Sequence, residues 1–122
     1  MSEDIDWDPV RALVARVDAG EALTLTPQVR GVLLRTAHEV GIPDPDAQAA
    51  IKDVGTATAL LRDAWVRIRD GSIRLSLTEM RARDLACAGD KAGARKLLED
   101  LLAVEVVPLY RELAEMELKD LD

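Results

Sequence analysis

The chain has 122 residues and a formal net charge of −7, a length suited to one domain and an acidity that weighs against nucleic acid and anionic membranes as partners. Its apolar content of 48 % is almost wholly aliphatic, with 18 Leu and 18 Ala against two Trp, one Tyr and no Phe, a composition that favours helix over strand. A single cysteine, Cys87, excludes an intramolecular disulfide framework.

Residues 1–7 read as a flexible acidic leader ahead of a helical domain over 8–122. Asp8-Pro9 is a helix start, with Asp as the N-cap and Pro at the first helical position. Val10, Leu13, Val14 and Val17 then recur on one helical face, and Gly20 closes the helix in a left-handed cap. Thr26-Pro27 repeats the start signal. Val29, Val32, Leu33, Thr36, Ala37 and Val40 form a second apolar face that Gly41 stops. Glu21 to Leu25 is short and open to an extended conformation, but it has no strand to pair with. Asp44-Pro45 opens a third short helix, expected to run to about Val54 with Ala47, Ala50 and Ile51 inward and Gly55-Thr56 as its interruption.

The longest pattern runs through Leu60, Leu61, Ala64, Trp65, Ile68, Ser72 and Leu75 to Glu79, Ala82, Leu85 and Ala86. Gly71 and a capping-box pattern at Ser76-Leu77-Thr78-Glu79 argue for two helices. The apolar stripe stays in phase across Gly71, so one long helix is the preferred reading. Gly89-Asp90 reads as a turn. Ala94, Leu97, Leu98, Leu101, Leu102 and Val104 then face a partner helix, Pro108 is expected to kink the helix, and the pattern resumes at Leu109, Leu113, Met116 or Glu117, and Leu118. The expected fold is all-α: three short N-terminal helices over 8–55 packed with a long antiparallel helical hairpin over 56–122, bundle-like.

The charge is unevenly spread. Residues 1–55 carry 5 basic and 10 acidic groups, residues 56–95 carry 8 and 5, and residues 96–122 carry 3 and 8. The preferred reading is that the acidic ends pack over the basic middle. The N-terminus lacks a basic and then apolar leader pattern. The apolar stretch Leu101–Tyr110 is broken by Glu105 and too short to span a membrane. Together these give a cytoplasmic expectation.

Chemistry-bearing residues are sparse. His38 is the only histidine and has neither a nucleophile nor further ligands beside it; it reads as a helix C-terminal residue interacting with the dipole. Cys87, flanked by Ala86 and Ala88, reads as a small buried hydrophobe. Glu112, Glu115, Glu117 and Asp120 read as a solvated helix face rather than an acid–base pair or a di-metal site. No phosphate loop, CxxC or GxSxG motif occurs. Catalytic, cofactor and metal residues are therefore expected to be absent. Arg67, Arg74 and Arg81 recur at i, i+7, i+14, with Arg62, Arg69 and Arg83 near them. They form either a surface for an acidic partner or a face paired locally to Asp63, Asp70 and Asp84, the second being preferred. Trp7 is read as a staple of the first helix or as an interface anchor, and Trp65 as core.

Several segments resemble one known family. They are Asp6-Trp7-Asp8-Pro9-Val10-Arg11, Leu61-Arg62 with Arg67-Ile68-Arg69-Asp70-Gly71-Ser72, and Asp84-Leu85 with Ala88-Gly89-Asp90 and Gly93-Ala94-Arg95. Most specific is Leu102-Ala103-Val104-Glu105-Val106-Val107-Pro108-Leu109-Tyr110-Arg111. Over roughly residues 5–120 the chain resembles the DUSAM domain family of small paralogous myxobacterial proteins. The resemblance implies a helical domain and carries over no activity, cofactor or site residue. The expectation that follows is a non-enzymatic protein–protein interaction or regulatory adaptor module whose partner is another protein, with a homodimer also open. The alternative is an immunity-type inhibitor that neutralises a toxin, since complementary charge speeds association.

Overall fold

The structure, a computed structural model, describes residues 5–122. The described residues form helices joined by short connections, with no strand among them. The order is α1 (Asp8–Asp18), α2 (Pro27–Glu39), α3 (Asp44–Ala50), α4 (Val54–Cys87), α5 (Lys91–Val104) and α6 (Pro108–Leu121). No helix is long and apolar enough to cross a membrane. The chain divides into two compact units, Met1–Arg67 and Ile68–Asp122, whose boundary falls within α4. Of the expected leader, residues 1–4 lie outside the described residues.

In the first unit, two of the three start signals work one residue away from the expected position. Asp8 and Asp44 are the first helical residues, behind Trp7 and Pro43 as N-caps. The Asp8 amide is bonded instead by the Asp6 carboxylate, at 3.0 Å. Thr26 is an N-cap as expected, its hydroxyl accepting from the Val29 amide at 3.1 Å. Gly20 and Gly41 have φ of 95° and 81°, the left-handed values that end α1 and α2. Helix α3 is shorter than expected, because Gly55-Thr56 does not interrupt it but belongs to the first turn of α4. Asp53 accepts from the Thr56 amide, while the Thr56 hydroxyl donates to the Ala50 carbonyl at 2.6 Å. Thr56 thus closes α3 with its hydroxyl, and Asp53 opens α4 with its carboxylate. Val10, Leu33, Ala37, Val40, Ala57 and Leu61 are 0–1 % exposed and form the centre of this unit's core. Trp65 departs from expectation: it is half-buried, with the Arg11 guanidinium 5.7 Å from its ring centroid, a cation–π distance.

In the second unit, α4 continues unbroken through Gly71 and the Ser76 capping pattern. Cys87 ends it, exposed rather than buried, because the helix stops there and leaves no neighbour to cover the thiol. Gly89, with φ of 91°, makes the turn. Asp90 caps α5, accepting from the Gly93 amide at 2.8 Å.

The long kinked second helix is not formed. Residues 105–107 are non-helical and Pro108 opens a separate helix, α6. Proline lacks the amide that an interior position needs, but at the first turn that amide has no helical acceptor. Arg95 pairs with Asp122, and the Arg111 guanidinium donates to the carbonyls of Leu102 and Glu105 at 2.5 and 3.0 Å. Helices α5 and α6 are therefore antiparallel, and they are the hairpin. The pairings of Ile68 with Tyr110 and of Arg83 with Glu117 set α6 parallel to this part of α4.

The break also resets the helical phase. Tyr110 and Ala114 become the buried residues of α6, whereas Leu113 and Met116, expected inward, are exposed, as is Val104. In Pro108→Ala, backbone chemical shifts at residues 105–107 should stay non-helical and the protein should fold, because the turn is held by side chains described below. Helical shifts across 105–107 would show that the proline itself makes the break.

Candidate functional site

The three arginines expected to form a stripe have separate fates. Arg67, in the first unit, donates to the Val40 carbonyl at 3.1 Å and lies 3.3 Å from Asp63. It closes the C-terminus of α2, one of the places where a helix leaves carbonyls without partners. Arg74, in the second unit, donates to the Glu105 carboxylate at 2.9 Å. Arg81 is exposed and pairs with no described residue. Trp7 donates its indole N–H to Glu39 at 3.1 Å and is half-buried, tying the start of α1 to the end of α2.

The sequence pattern passed over the most constrained group. Glu105 read as an interruption of an apolar run, yet its side chain is 1 % exposed. One carboxylate oxygen accepts from Arg74, and the other accepts from the amides of Val106 and Val107, both at 3.0 Å. Those amides lie just ahead of α6, where no helical acceptor is available. The Tyr110 hydroxyl donates to the Ile68 carbonyl at 2.9 Å. Burial pushes this hydroxyl's pKa up, Glu105 adds to the rise, and a hydrogen bond with Ser72 opposes it. Tyr110 therefore remains a donor.

Gly71 is explained here too. A Cβ at that position would lie 2.7 Å from the Tyr110 ring and 3.1 Å from the Glu105 carboxylate. The ring packs directly on the α4 backbone. Only a residue without a side chain permits that approach. The signal available in the sequence was an acid alone in an aliphatic run, two residues before Val-Pro.

Further along the second unit, Glu79 faces Glu117. Burial, the Glu117 charge and a hydrogen bond between the two raise the Glu79 pKa, and Arg83 pulls the other way. Arg83 also holds Glu117, at 3.2 Å. Glu112, Glu115 and Asp120 are exposed, and no metal-binding group of acids, His or Cys occurs among the described residues. His38 lies exposed in the last turn of α2, 3.4 Å from Asp44. A cleft of about 200 Å³ between α1 and residues 21–29 is lined by Leu13, Arg16, Val17 and Leu23, among others, and by neither His38 nor Cys87.

The second unit also turns large apolar side chains outward. Ile73, Leu77 and Met80 are exposed on α4, and Leu113 and Met116 on α6, with Met116 at 59 %.

What the fold and this junction define is an all-helical protein whose most distinctive segment is built into its own hairpin turn. The chain belongs to the family described as a protein of unknown function (DUF2379), whose model matches residues 5–121. No curated protein and no solved structure matches it.

Two stability tests follow. Glu105→Ala should destabilise by about 2 kcal/mol, the scale for leaving buried amide donors without an acceptor. Glu105→Gln should lose less, because an amide oxygen still accepts from the turn. Gly71→Ala should also destabilise, whereas Gly31→Ala, with open space around its Cβ, should gain up to about 1 kcal/mol. Urea midpoints decide: a neutral Gly71→Ala would show that the ring does not need the bare backbone.

The second test concerns Glu79. A carboxyl whose pKa is raised by folding contributes stability below its unfolded value of about 4.3, and this is lost as pH rises through the folded value. Glu79→Gln should therefore melt higher than the wild type at pH 7, with the gap closing as pH falls towards 4. A gap independent of pH would refute this account of the pair.

Proposed function

We propose that the chain is a non-enzymatic protein-interaction or regulatory adaptor module acting in the cytoplasm. We further propose that its family is the DUSAM family its sequence resembles. The observation carrying the first reading is the outward row Ile73, Leu77 and Met80, spaced i, i+4, i+7 on α4 and 43–55 % exposed. Single exposed aliphatics are ordinary, but a row of three at helical spacing is the pattern by which one helix docks on another protein. The polar residues of the most distinctive segment support the same reading from the other side. Glu105, Tyr110 and Arg111 are engaged with the protein's own backbone and with Arg74.

The test is affinity capture from lysate of the source cell, with mass spectrometry, comparing wild type with Leu77→Glu. A discrete set of proteins should be retained by the wild type and lost from the variant. Identical sets would overturn the reading. A basic toxin among the lost proteins would turn it towards the inhibitor class.

A further inference from the structure

The connection between α1 and α2 leaves several groups without partners, and they meet at the cleft of about 200 Å³. Its apolar wall is Leu13 and Val17, one turn apart on α1, with Leu23 and, in the first turn of α2, Val29. Arg16 and Glu21 are the two charged side chains that line it, and both are exposed. Their backbones are joined, the Glu21 amide donating to the Arg16 carbonyl at 3.0 Å. Their side chains pair neither with each other nor with any described residue. Elsewhere in this unit, opposite charges within reach do pair, as Arg11 does with Asp8 and Arg62 with Asp18.

Uncharged donors stand in the same lining. The amides of Ala22, Leu23 and Thr24 bond to no described residue. The Thr26 hydroxyl accepts from the Val29 amide at 3.1 Å, which leaves its own proton to donate. The cleft thus combines an apolar wall, a cation with spare donors beside it, and an anion.

We infer that this cleft is a binding site for a free aliphatic α-amino acid of the size of valine or leucine. The branched side chain lies on the apolar wall, the carboxylate takes Arg16 and the open amides, and the ammonium takes Glu21. The room agrees. Scaled from benzene in an apolar cavity of about 150 Å³, this volume takes roughly eight non-hydrogen atoms. An uncharged apolar ligand would leave both charges unanswered, and a simple carboxylate would face Glu21. A molecule bearing both signs beside a short apolar group answers all of them. The site lies in the first unit and does not rest on the docking row of the second.

Amide chemical shifts of the isotope-labelled full chain, titrated with L-leucine, test it. Saturable shifts should appear at residues 13–17, 21–26 and 29. Isoamylamine lacks the carboxylate and isocaproate lacks the ammonium. Each should bind at least about tenfold more weakly than leucine, one charge-assisted contact being lost. Arg16→Gln should weaken leucine about tenfold without weakening isoamylamine, and Glu21→Gln should weaken leucine equally without weakening isocaproate. Unchanged shifts away from the cleft show that both variants are folded.

The absence of saturable shifts at these residues overturns the proposal. So does equal binding of N-acetyl-leucine amide, whose two ends are uncharged; the cleft would then read only a side chain, as a partner's peptide supplies it. Leucine binding that ignores both substitutions overturns it as well.

Discussion

The second unit depends on one buried carboxylate. Glu105 is an ionisable side chain in an apolar interior, a placement that costs several kcal/mol unless its oxygens are answered. Here one oxygen takes Arg74 from α4 and the other takes the two amides that α6 would leave unbonded. The same group thus ends one helix, starts the next and fastens both to a third. Tyr110 and Gly71 follow from it. Once the turn is pinned to α4, the tyrosine ring lies against the helix backbone, and a glycine is the residue that admits it. Arg111 completes the turn by donating to carbonyls at the end of α5. Such a network is stable when fully satisfied and costly when one member is removed, so it fixes a geometry as well as an energy.

The uneven charge of the chain is largely resolved within each unit. Arg62 meets Asp18 in the first; Arg74, Arg83 and Arg95 meet Glu105, Glu117 and Asp122 in the second. The basic middle is therefore countered by the acidic ends through specific pairs. Apart from the buried Glu105, these pairs are exposed or half-buried and individually weak. Their effect is to remove charge from the list of groups available to a partner. What remains outward on α4 and α6 is an apolar row on each, with Arg81, Asp84, Glu112, Glu115 and Asp120 exposed on the same two helices. The segment that most strongly marks the family resemblance is thus concerned with folding, and the exposed apolar rows lie elsewhere.

Much of the fold was legible. The three early starts at Asp8, Thr26 and Asp44, the stops at Gly20, Gly41 and Gly89, and the unbroken α4 all follow from local rules. Caps, prolines and left-handed glycines act within a few residues of themselves, and an apolar stripe kept in phase outweighs one glycine. The errors cluster where local signals have two solutions. Pro108 in a helical pattern reads as a kink or as a first residue, and aliphatics follow it on either reading. A kink carries the phase of α5 into α6 and points Leu113 and Met116 inward, whereas a fresh start at Pro108 buries Tyr110 and Ala114. Cys87 among alanines read as buried, because its neighbours could not show that the helix ends there.

The composition and periodicity of this chain therefore determined an acidic, all-helical protein with the starts of its first three helices placed to within a residue and most of its stops in place. Those properties depend on hydrogen bonds and side-chain spacing within a turn or two of the chain. Only the tertiary structure decided that Glu105 is buried, that Arg74 leaves the arginine series to meet it, and that the helix breaks there. It also decided which side chains of α4 and α6 face outward. The meeting of Arg74 with Glu105 spans 31 residues. Whether a lone acid in an aliphatic run is a flaw or a keystone depends on a partner that only folding brings within reach.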